Sequence, residues 1–460
     1  MNQEVRTVAT THEAQFAKIS AFVLDPDLTV PEETLFFAST LLIDTLGVAV
    51  GGASLESGRI ARNFAADFHV AGQGGLSSTM LFDGRRVSLP GAAWALATQI
   101  DNLDGHDGYN PTKGHIGCAV VPALLAFAEQ NPELTGRQAL VALAMSYEVA
   151  ARAGISLHRT VSDYHTSGAW NALGVAALGC RLTGSAPNTL REAMGIAEYH
   201  GPRSQMMREI NNPTMLHDGS GMGALVGSNA TIMANRGFTG APAITVESAD
   251  IADIWQDLGT FWTTGLNYIK PYPICRWAHA ALDALHNLMQ DAKFTPDQVE
   301  RISVHTFDEA SRLFMGAPET TSQAQYSLAF AMAVLLTHGR VGAEHISDQG
   351  LQDERILAII PKIQAIETAR HSDRFPIGRW SDIEVVLKDG RTLASGDIHA
   401  RGGPEAPMAD HEVKQKFLGM AQKLNTGRQE AIWSMRDRLL KPETQFSSFA
   451  ELLYPEPEAS

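Results

Sequence analysis

Cysteine is scarce in this 460-residue chain. The three cysteines, Cys118, Cys180 and Cys275, lie far apart and form no C-x-x-C pair, so the sequence holds no disulfide framework. This pattern is typical of a reducing compartment, and we expect a cytoplasmic location. It also argues against an iron–sulfur cluster, which needs several thiolate ligands.

Positive charge is also in short supply. The chain has 36 Lys and Arg residues against 51 Asp and Glu, a formal net charge of −15, and no run of basic residues. Nucleic acids and anionic membranes require concentrated basic surface, so neither is expected as a partner. The longest apolar stretches, such as 92–100 and 118–128, are too short to cross a bilayer, and the N-terminal residues lack the pattern of a secretion signal.

A chain of this length exceeds the size at which one hydrophobic core keeps growing, so two domains are expected. The part before residue 265 is rich in Ala, Leu and Met at helical spacing. Small residues dominate 172–179 and 219–227, which lets helices approach closely. This part is predicted to be all-helical, with helices at 16–23, 32–50, 57–71, 90–102, 119–129, 137–153, 168–182, 189–200 and 219–235.

The pattern changes after residue 265. Residues 300–306 alternate apolar and polar, as a strand does, and 382–394 indicates a hairpin that turns at Asp389-Gly390. Amphipathic helices are predicted at 278–290 and 324–336, so this part is α+β. The helical period returns over 410–440, and the Pro/Glu-rich residues at the end are expected to fray.

One loop combines most of the reactive side chains. Residues 101–126, DNLDGHDGYNPTKGHIGCAVVPALLA, place acids, imidazoles and a lysine in a glycine-broken loop between two apolar helices. Helices fix the position of such a loop while its polar groups stay free to face a ligand. A solvated surface turn explains any one of these residues, but the cluster favours an active site.

This loop resembles the signature of the MmgE/PrpD family, with Asp-x-x-Asp-Gly-His from Asp101 and Gly-His-x-Gly from Gly114. That family contains 2-methylcitrate dehydratase, cis-aconitate decarboxylase and iminodisuccinate epimerase. Further segments match in order: LIDTLGV at 42–48, YHTSG at 164–168 and KPYPICRWAH at 270–279.

The resemblance implies a fold that is mainly α. A large all-helical domain, residues 1–265, would be completed by 406–460, and a smaller α+β lid domain would span 266–405. The site would lie in the cleft between them, and the protein would be a homodimer.

The resemblance also implies a reaction class. The family acts on small di- and tricarboxylates by removing a proton, a carboxylate or water next to a carboxylate, without metal or organic cofactor. Such chemistry needs a base for the Cα proton, donors for the charge that builds on the substrate carboxylate, and fixed cations for the other carboxylates. We therefore expect a small carboxylate substrate and no cofactor.

Five residues are predicted to be catalytic. His115 matches the family histidine and is expected to lie at a helix N-terminus, where an anionic substrate is favoured; helix capping is the alternative. Asp101 and Asp104 match the family's Asp-x-x-Asp and would orient a histidine or take a proton, with a salt-bridged helix end as the alternative. His165 opens the next helix, or is a satisfied buried histidine. Lys270 is held stiffly by prolines to face a carboxylate, or belongs to a rigid linker.

Six residues are predicted to bind the substrate: His106, Tyr109, Lys113, Arg203, Thr214 and Tyr272. Tyr109 and Lys113 belong to a loop longer than the decarboxylase equivalent, which could instead line a subunit contact. Thr214 stands where the family has a lysine, so either Lys113, Arg203 or Arg208 supplies the missing cation, or the substrate carries fewer carboxylates than citrate-type acids. Phe330 replaces a family tyrosine, which predicts a more apolar pocket.

The predicted function is a lyase of the dehydratase or hydratase kind. An epimerase that uses two bases, one on each face of the substrate carbon, is the second possibility, with His115 and a Lys or Tyr as the pair. Gly105, where decarboxylases carry threonine, places the local resemblance nearer to epimerase-like members. A catalytically silent member that binds a carboxylate or a partner protein is the third, because the lysine at position 214 is missing. No residues have the spacing of a metal site, although His200 and His217 could meet in space.

Overall fold

Helices make up most of the chain before residue 255. The computed structural model describes residues 2–454, with side chains from residue 13 onward. The helices of this part are α1 (Asn2–Leu24), α2 (Glu32–Gly52), α3 (Glu56–Phe68), α4 (Leu89–Asp101), α5 (Gly117–Ala128), α6 (Gly136–Thr160), α7 (Gly168–Leu182), α8 (Pro187–His200), α9 (Met207–Asn211), α10 (Ser220–Asn235) and α11 (Ile244–Glu247).

Each helix predicted for this part overlaps one of these observed helices. Helix α1 begins at Asn2 rather than at residue 16, and α6 continues past the predicted end at residue 153 to Thr160. Gly154 does not end the helix; a Cβ there would lie 2.7 Å from the Thr112 side chain and 2.9 Å from Trp170. Glycine at this position therefore serves close packing inside the helix rather than its termination.

Small residues bring α6, α7 and α10 into close contact, as predicted. A Cβ on Gly227 of α10 would lie 2.6 Å from the Val175 Cβ of α7, and one on Gly174 of α7 would lie 2.8 Å from the Ala150 Cβ of α6. Larger side chains at these positions would push the helices apart. Ser167 and Asp218, which belong to the site described below, lie just before α7 and α10.

Two short ribbons were not predicted, one within the helical part and one that joins this part to the segment after residue 265. Strand β1 (Ser77–Thr79) pairs antiparallel with β2 (Arg86–Ser88), and β3 (Gly108–Tyr109) pairs antiparallel with β4 (Asn267–Tyr268). Strands of two or three residues are too short to show alternation in a sequence. The β3–β4 pair fastens the reactive loop to the segment that leads into Lys270.

The α+β part carries a mixed sheet in the order β6-β5-β7-β8, with β9 also pairing β7. Strand β5 runs parallel to β6 and antiparallel to β7, with Val304 opposite Ile383. The predicted strand and the hairpin at Asp389-Gly390 are both confirmed. The strands are β5 (Val299–Thr306), β6 (Ile363–Glu367), β7 (Trp380–Leu387), β8 (Thr392–Ala394) and β9 (Ile398–His399).

Helices flank this sheet. The predicted helix at 324–336 is split, because Ser327 ends the first piece and its Oγ accepts the Phe330 amide at 3.1 Å to cap the second. The helices are α12 (His279–Ala292), α13 (Asp308–Ser311), α14 (Thr321–Gln325), α15 (Leu328–His338), α16 (Glu354–Leu357) and α17 (Ala369–Ser372). The fold is thus mainly α, with a large helical and a smaller α+β part.

The C-terminal helices return to the helical part. They are α18 (Asp410–Met420), α19 (Thr426–Arg438) and α20 (Phe446–Ala450), and α18 and α19 pack on α2. Lys416 of α18 donates to the Asp44 carboxylate of α2 at 2.7 Å and to the Gly105 carbonyl at 2.6 Å. The exact domain boundaries stay a prediction, and the predicted frayed end, 455–460, lies outside the described residues.

Two helices of the described residues are long and apolar enough to cross a membrane, which the apolar runs noted in the sequence were not. These are α2 and α6, and in each the 18-residue window concerned is 89% buried inside the protein. Such burial is what a core helix of a globular protein shows.

Candidate active site

A small cavity lies where the reactive loop meets the segment around Lys270 and the α+β part. From the helical part, Lys113, His115 and Asp218 line it. From the α+β part, Arg276 and Arg379 line it. The cavity therefore lies at the junction that the resemblance implied for the site.

His115 is neutral and presents one free ring nitrogen. Its Nδ1 lies 2.7 Å from the Asp107 carbonyl oxygen, which only accepts, so Nδ1 carries the hydrogen and Nε2 keeps its lone pair. Nε2 lies 3.7 Å from Asp218 Oδ2. Burial, with the positive charges of Lys270 and His106, lowers the pKa of His115 well below its usual range. A neutral imidazole with a free Nε2 is equipped to accept a proton at pH 7.

The start of α5 fixes His115 in this position. The helix begins at Gly117, where a Cβ would overlap Asp107 Oδ1. Asp107 accepts the Gly117 amide at 3.3 Å, and Ser167 accepts the His115 amide at 3.0 Å. The N-cap is Ile116, with no side-chain cap, so the capping alternative for His115 does not apply. His115 is thus held by its backbone and its Nδ1, which leaves Nε2 available.

Asp218 was not predicted. It is only 4% exposed, and its Oδ1 accepts the Ser167 hydroxyl at 2.5 Å. Burial and the nearby charge of Asp101 raise its pKa to about 7. The sequence offered only an acid between a histidine and a glycine. The structure adds that His217 and Gly219 both have positive φ, 47° and 67°. Few residues other than glycine adopt this backbone conformation, and such positions concentrate at functional sites.

Lys270 and Asp104 form a buried ion pair. The Lys270 ammonium contacts the Asp104 carboxylate and donates to the Asp104 carbonyl at 3.0 Å. Burial acts to lower the pKa of Lys270, but the Asp104 charge outweighs it and the pKa is raised. The ammonium therefore stays charged, and part of its charge is neutralised by Asp104 before any substrate arrives.

Asp101 and His106 form a second layer behind His115. His106 Nε2 lies 3.5 Å from Asp101 Oδ1, and the His106 ring meets the His115 ring edge-on at 4.6 Å. Burial acts to lower the pKa of His106, but the Asp101 carboxylate more than compensates and raises it. Asp101 also accepts the Ser220 amide at the start of α10, at 3.0 Å. These residues orient the site without lining the cavity.

Eight of the eleven predicted residues do not line the cavity. Asp101 and His106 lie behind His115, Lys270 pairs with Asp104, and the other five lie elsewhere: Tyr109, His165, Arg203, Thr214 and Tyr272. His165 and Arg203 line a separate surface hollow. Thr214 is exposed, and its amide and hydroxyl donate to Glu209 at 2.6 and 2.8 Å. Tyr272 donates to Asp283 at 2.9 Å, and Tyr109 is buried in the β3–β4 pair. Phe330 is buried on α15, and Tyr326 lines the cavity instead.

Three cations line the cavity without a carboxylate within 4 Å among the described residues. Arg379 is 1% exposed, donates to the Pro376 carbonyl and leaves its Nε unpaired. Arg276 donates to two main-chain carbonyls, at 2.6 and 2.9 Å, and its Nε is also unpaired. The Lys113 ammonium lies 4.4 Å above the Tyr164 ring. Lys113 was predicted to supply positive charge, whereas neither arginine was.

Two groups of side chains in the described part could hold a metal ion, although the sequence spacing predicted none. The ligand atoms of Asp101, His106 and Cys118 lie within 4.8 Å of one another, as do those of a second group on the α+β part. In the first group Asp101 already accepts the Ser220 amide and pairs with His106. In the second group, His371, Asp382 and Asp397, Asp382 also pairs with Arg370.

Comparison with known proteins covers most of the chain. Human cis-aconitate decarboxylase is 22% identical over 418 residues, 84% of this chain and 82% of its own length. Cis-aconitate decarboxylase of Aspergillus terreus is 20% identical over 435 residues, 85% of this chain and 86% of its own. A mitochondrial 2-methylcitrate dehydratase of Yarrowia lipolytica is 29% identical over 121 residues, 25% of this chain and 23% of its own.

The two parts of the fold match the two domain models of one protein family. Residues 17–255 match the MmgE/PrpD N-terminal domain, and residues 272–440 match the MmgE/PrpD C-terminal domain. The chain therefore belongs to the MmgE/PrpD family.

Proposed function

We propose that this protein is a cofactor-independent lyase that eliminates water from a small carboxylic acid with two or more carboxylates. The observation that carries the proposal is His115, a neutral imidazole whose free Nε2 faces a cavity lined by cations. The relatives are a decarboxylase and a dehydratase, which supports an enzyme of the lyase type. We also propose the cytoplasmic location and the homodimer that the sequence and the family suggest.

In the proposed reaction His115 Nε2 takes the proton from the carbon next to a carboxylate. Negative charge then builds on that carboxylate, and a nearby guanidinium or ammonium lowers the energy of this state. Arg276, Arg379 and Lys113 are available for it, because they have no carboxylate partner among the described residues. A carbon–oxygen bond breaks at the neighbouring carbon, and the products are water and an unsaturated acid.

The number of cations bears on the substrate class. The missing lysine at position 214 predicted fewer carboxylates than citrate-type acids carry. That inference depended on Thr214 facing the substrate, but Thr214 is exposed and bonded to Glu209. Burying three cations without carboxylate partners destabilises the folded protein unless a bound anion neutralises them. We therefore propose that di- and tricarboxylates bind better than monocarboxylates.

An epimerase would need a second base across the cavity. Burial raises the pKa of Tyr268 and of Cys275 to about 12 and holds the pKa of Tyr164 well above its usual value, so these groups keep their protons at pH 7. Asp218 lies beside His115 rather than apart from it, 3.7 Å from its Nε2. This arrangement supports elimination over two-base epimerisation. The pairing of His115 with Asp218 in the cavity argues against a silent binder.

A panel of acids in deuterated water tests the proposal. Lactate, malate, citrate, 2-methylcitrate and cis-aconitate are incubated with the enzyme and followed by proton NMR. Elimination gives a vinyl or methine signal of an unsaturated acid, epimerisation gives solvent label without a new product, and a silent binder gives neither. Either of the last two outcomes across the whole panel contradicts the proposal. Activity is expected to survive EDTA, because each step is assigned to a side chain.

A further inference from the structure

We propose that Asp218 is a second catalytic residue of this site, the general acid that protonates the leaving oxygen and then recovers its proton from His115. This inference rests on the proposed lyase function. Asp218 lines the cavity beside His115, and the two side chains approach to 3.7 Å between Oδ2 and Nε2.

The position of Asp218 leaves one carboxyl oxygen for chemistry. Oδ1 accepts the Ser167 hydroxyl at 2.5 Å, which fixes the rotation of the carboxyl group. Oδ2 has His115 as its polar neighbour among the described residues. Ser167 also accepts the His115 amide, at 3.0 Å, so one hydroxyl group positions both members of the pair.

Helix capping does not explain Asp218. It precedes α10, where a carboxylate would ordinarily cap the helix. The N-cap of α10 is Gly219 without a side-chain cap, and the Ser220 amide donates to Asp101 instead. Asp218 is thus a buried acid beside a helix start whose Ser220 amide already donates to Asp101.

The surroundings of Asp218 favour its protonated form. Burial and the Asp101 charge raise its pKa to about 7, and Asp104 acts in the same direction, whereas the Ser167 hydrogen bond and His106 act against them. Other titratable groups that interact with Asp218 are His115, Cys118, Tyr164, Cys275 and Tyr326. A carboxylic acid with a pKa near the working pH is well matched to general acid catalysis.

The proposed step balances. His115 Nε2 takes the proton from the carbon next to the carboxylate. The electron pair of the broken carbon–hydrogen bond forms the new carbon–carbon π bond. The carbon–oxygen bond breaks, and the leaving oxygen takes the Asp218 proton to depart as water. The site then holds a His115 imidazolium next to an Asp218 carboxylate, and transfer of the proton from Nε2 to Oδ2 restores both groups.

The Asp218→Asn variant separates protonation of the leaving oxygen from removal of the Cα proton. Its amide keeps the shape of the side chain and the contact with Ser167 but cannot supply an acidic proton. For citrate, 2-methylcitrate or malate, whichever the wild type dehydrates, we expect kcat to fall by about 10²-fold or more. For the analogue with fluorine in place of the hydroxyl, we expect less than tenfold loss, because fluoride leaves with little help from an acid.

Three further variants sharpen the result. His115→Ala should lose activity on the hydroxy and fluoro acids alike, and Asp218→Glu should recover part of the hydroxy acid activity. Asp163→Asn, a surface acid that accepts from Gln205 at 3.2 Å, is the matched control and should behave as wild type. Equal losses on hydroxy and fluoro acids in Asp218→Asn would assign Asp218 a structural role and overturn the inference.

Infrared difference spectra between the wild type and Asp218→Asn test the protonation state without any substrate. A carboxylic acid carbonyl band present in the wild type at pH 6, absent from the variant and lost on raising the pH to 8, is the expected result. Its absence at pH 6 overturns the inference. If the wild type dehydrates none of the acids, the proposed function fails, and this spectrum alone decides whether Asp218 stores a proton.

Discussion

The proposed role of His115 as a base depends on its contacts with the Asp107 carbonyl and the Ser167 hydroxyl. We expect His115→Ala to lower kcat by about 10²-fold or more, since a positioned base supplies about that factor. The fold should persist, because the His115 backbone keeps its bond to Ser167. His200→Ala, on an exposed residue at the end of α8, serves as the control. Steady-state kinetics decide the matter, and wild-type turnover in His115→Ala would remove it from the mechanism.

The pH profile of kcat/KM should be governed by the His115–Asp218 pair. The pKa of His115 is lowered well below 6.5, so the base stays unprotonated, and activity stays level, as the pH falls to 6. The pKa of Asp218 is raised to about 7, so the acid loses its proton, and activity falls, as the pH rises through 7. The measurement is kcat/KM between pH 5.5 and 9, and an activity that increases above pH 7 would contradict this assignment.

Sequence patterns located the parts of the site that are contiguous in the chain. Asp104, Lys113 and His115 share one loop, and their clustering was visible without a structure. Asp218 and Arg379 come from distant segments, and only folding brings them to the same cavity. Arg379 directly precedes β7, and the burial of one side chain between distant segments leaves no local periodicity in the sequence.

At the scale of elements, the start of α5 is expected to tolerate no side chain at Gly117. In Gly117→Ala the Cβ would overlap Asp107 Oδ1 and the Tyr147 hydroxyl, so Asp107 must move. The Asp107 carbonyl holds His115 Nδ1, and its displacement should lower kcat by tenfold or more as well as cost about 1–3 kcal/mol of stability.

Gly419 near the end of α18 is the matched control for this substitution. No atom lies within 4 Å of a Cβ built there, and the residue is exposed. Gly419→Ala should leave kcat unchanged and raise the free energy of unfolding by up to about 1 kcal/mol, because alanine favours the helix. Urea unfolding and kinetics on both variants provide the comparison. A Gly117→Ala variant as active and as stable as Gly419→Ala would show that Asp107 does not position His115.

The elements that the sequence predicted best are those whose signal is local. Helices such as α2, α7 and α10 carry repeated apolar positions over many turns, so their existence was clear. Strands β3 and β4 have two residues each and are defined by their partner, which lies far away in the chain. One hydroxyl, that of Ser327, caps α15 and separates it from α14. A serine can cap a helix or lie within one, and the apolar pattern does not distinguish the two cases.

For the molecule as a whole, ligand binding should join the two parts of the fold. Arg276 and Arg379 approach the cavity from the α+β part, whereas His115 and Lys113 approach from the helical part. Tricarballylate, which has no hydroxyl group to eliminate, should raise the melting temperature by an amount equivalent to about 2.7 kcal/mol at a concentration of 100 Kd.

Removing Arg379 should abolish most of that effect. In Arg379→Ala we expect tricarballylate to bind at least tenfold more weakly, because charge-assisted bonds to a carboxylate are lost. Arg340→Ala, on a surface residue paired with Glu344, is the control. Thermal unfolding with graded ligand measures both, and equal stabilisation of the two variants would place the carboxylates elsewhere.

The buried pair between Asp44 and Lys416 links the C-terminal helices to the site. In Lys416→Met the Asp44 carboxylate and the Gly105 carbonyl lose their donor, and breaking a buried pair typically costs about 3–5 kcal/mol. The double variant Asp44→Asn/Lys416→Met should recover much of this loss, since no unpaired charge remains. Denaturant unfolding of the three proteins tests it, and a single variant as stable as the wild type would contradict the role of the pair.

The same pair has a consequence for how a new chain matures on the ribosome. Asp44 and Lys416 lie 372 residues apart, and at about 5–20 residues per second roughly 20–75 s of synthesis separate their appearance. Throughout that interval α2 holds an acid whose partner has not been synthesised, and the Gly105 carbonyl of the reactive loop lacks its donor. Nascent chains of this protein should therefore remain inactive, and depend longest on chaperones, until α18 has left the exit tunnel.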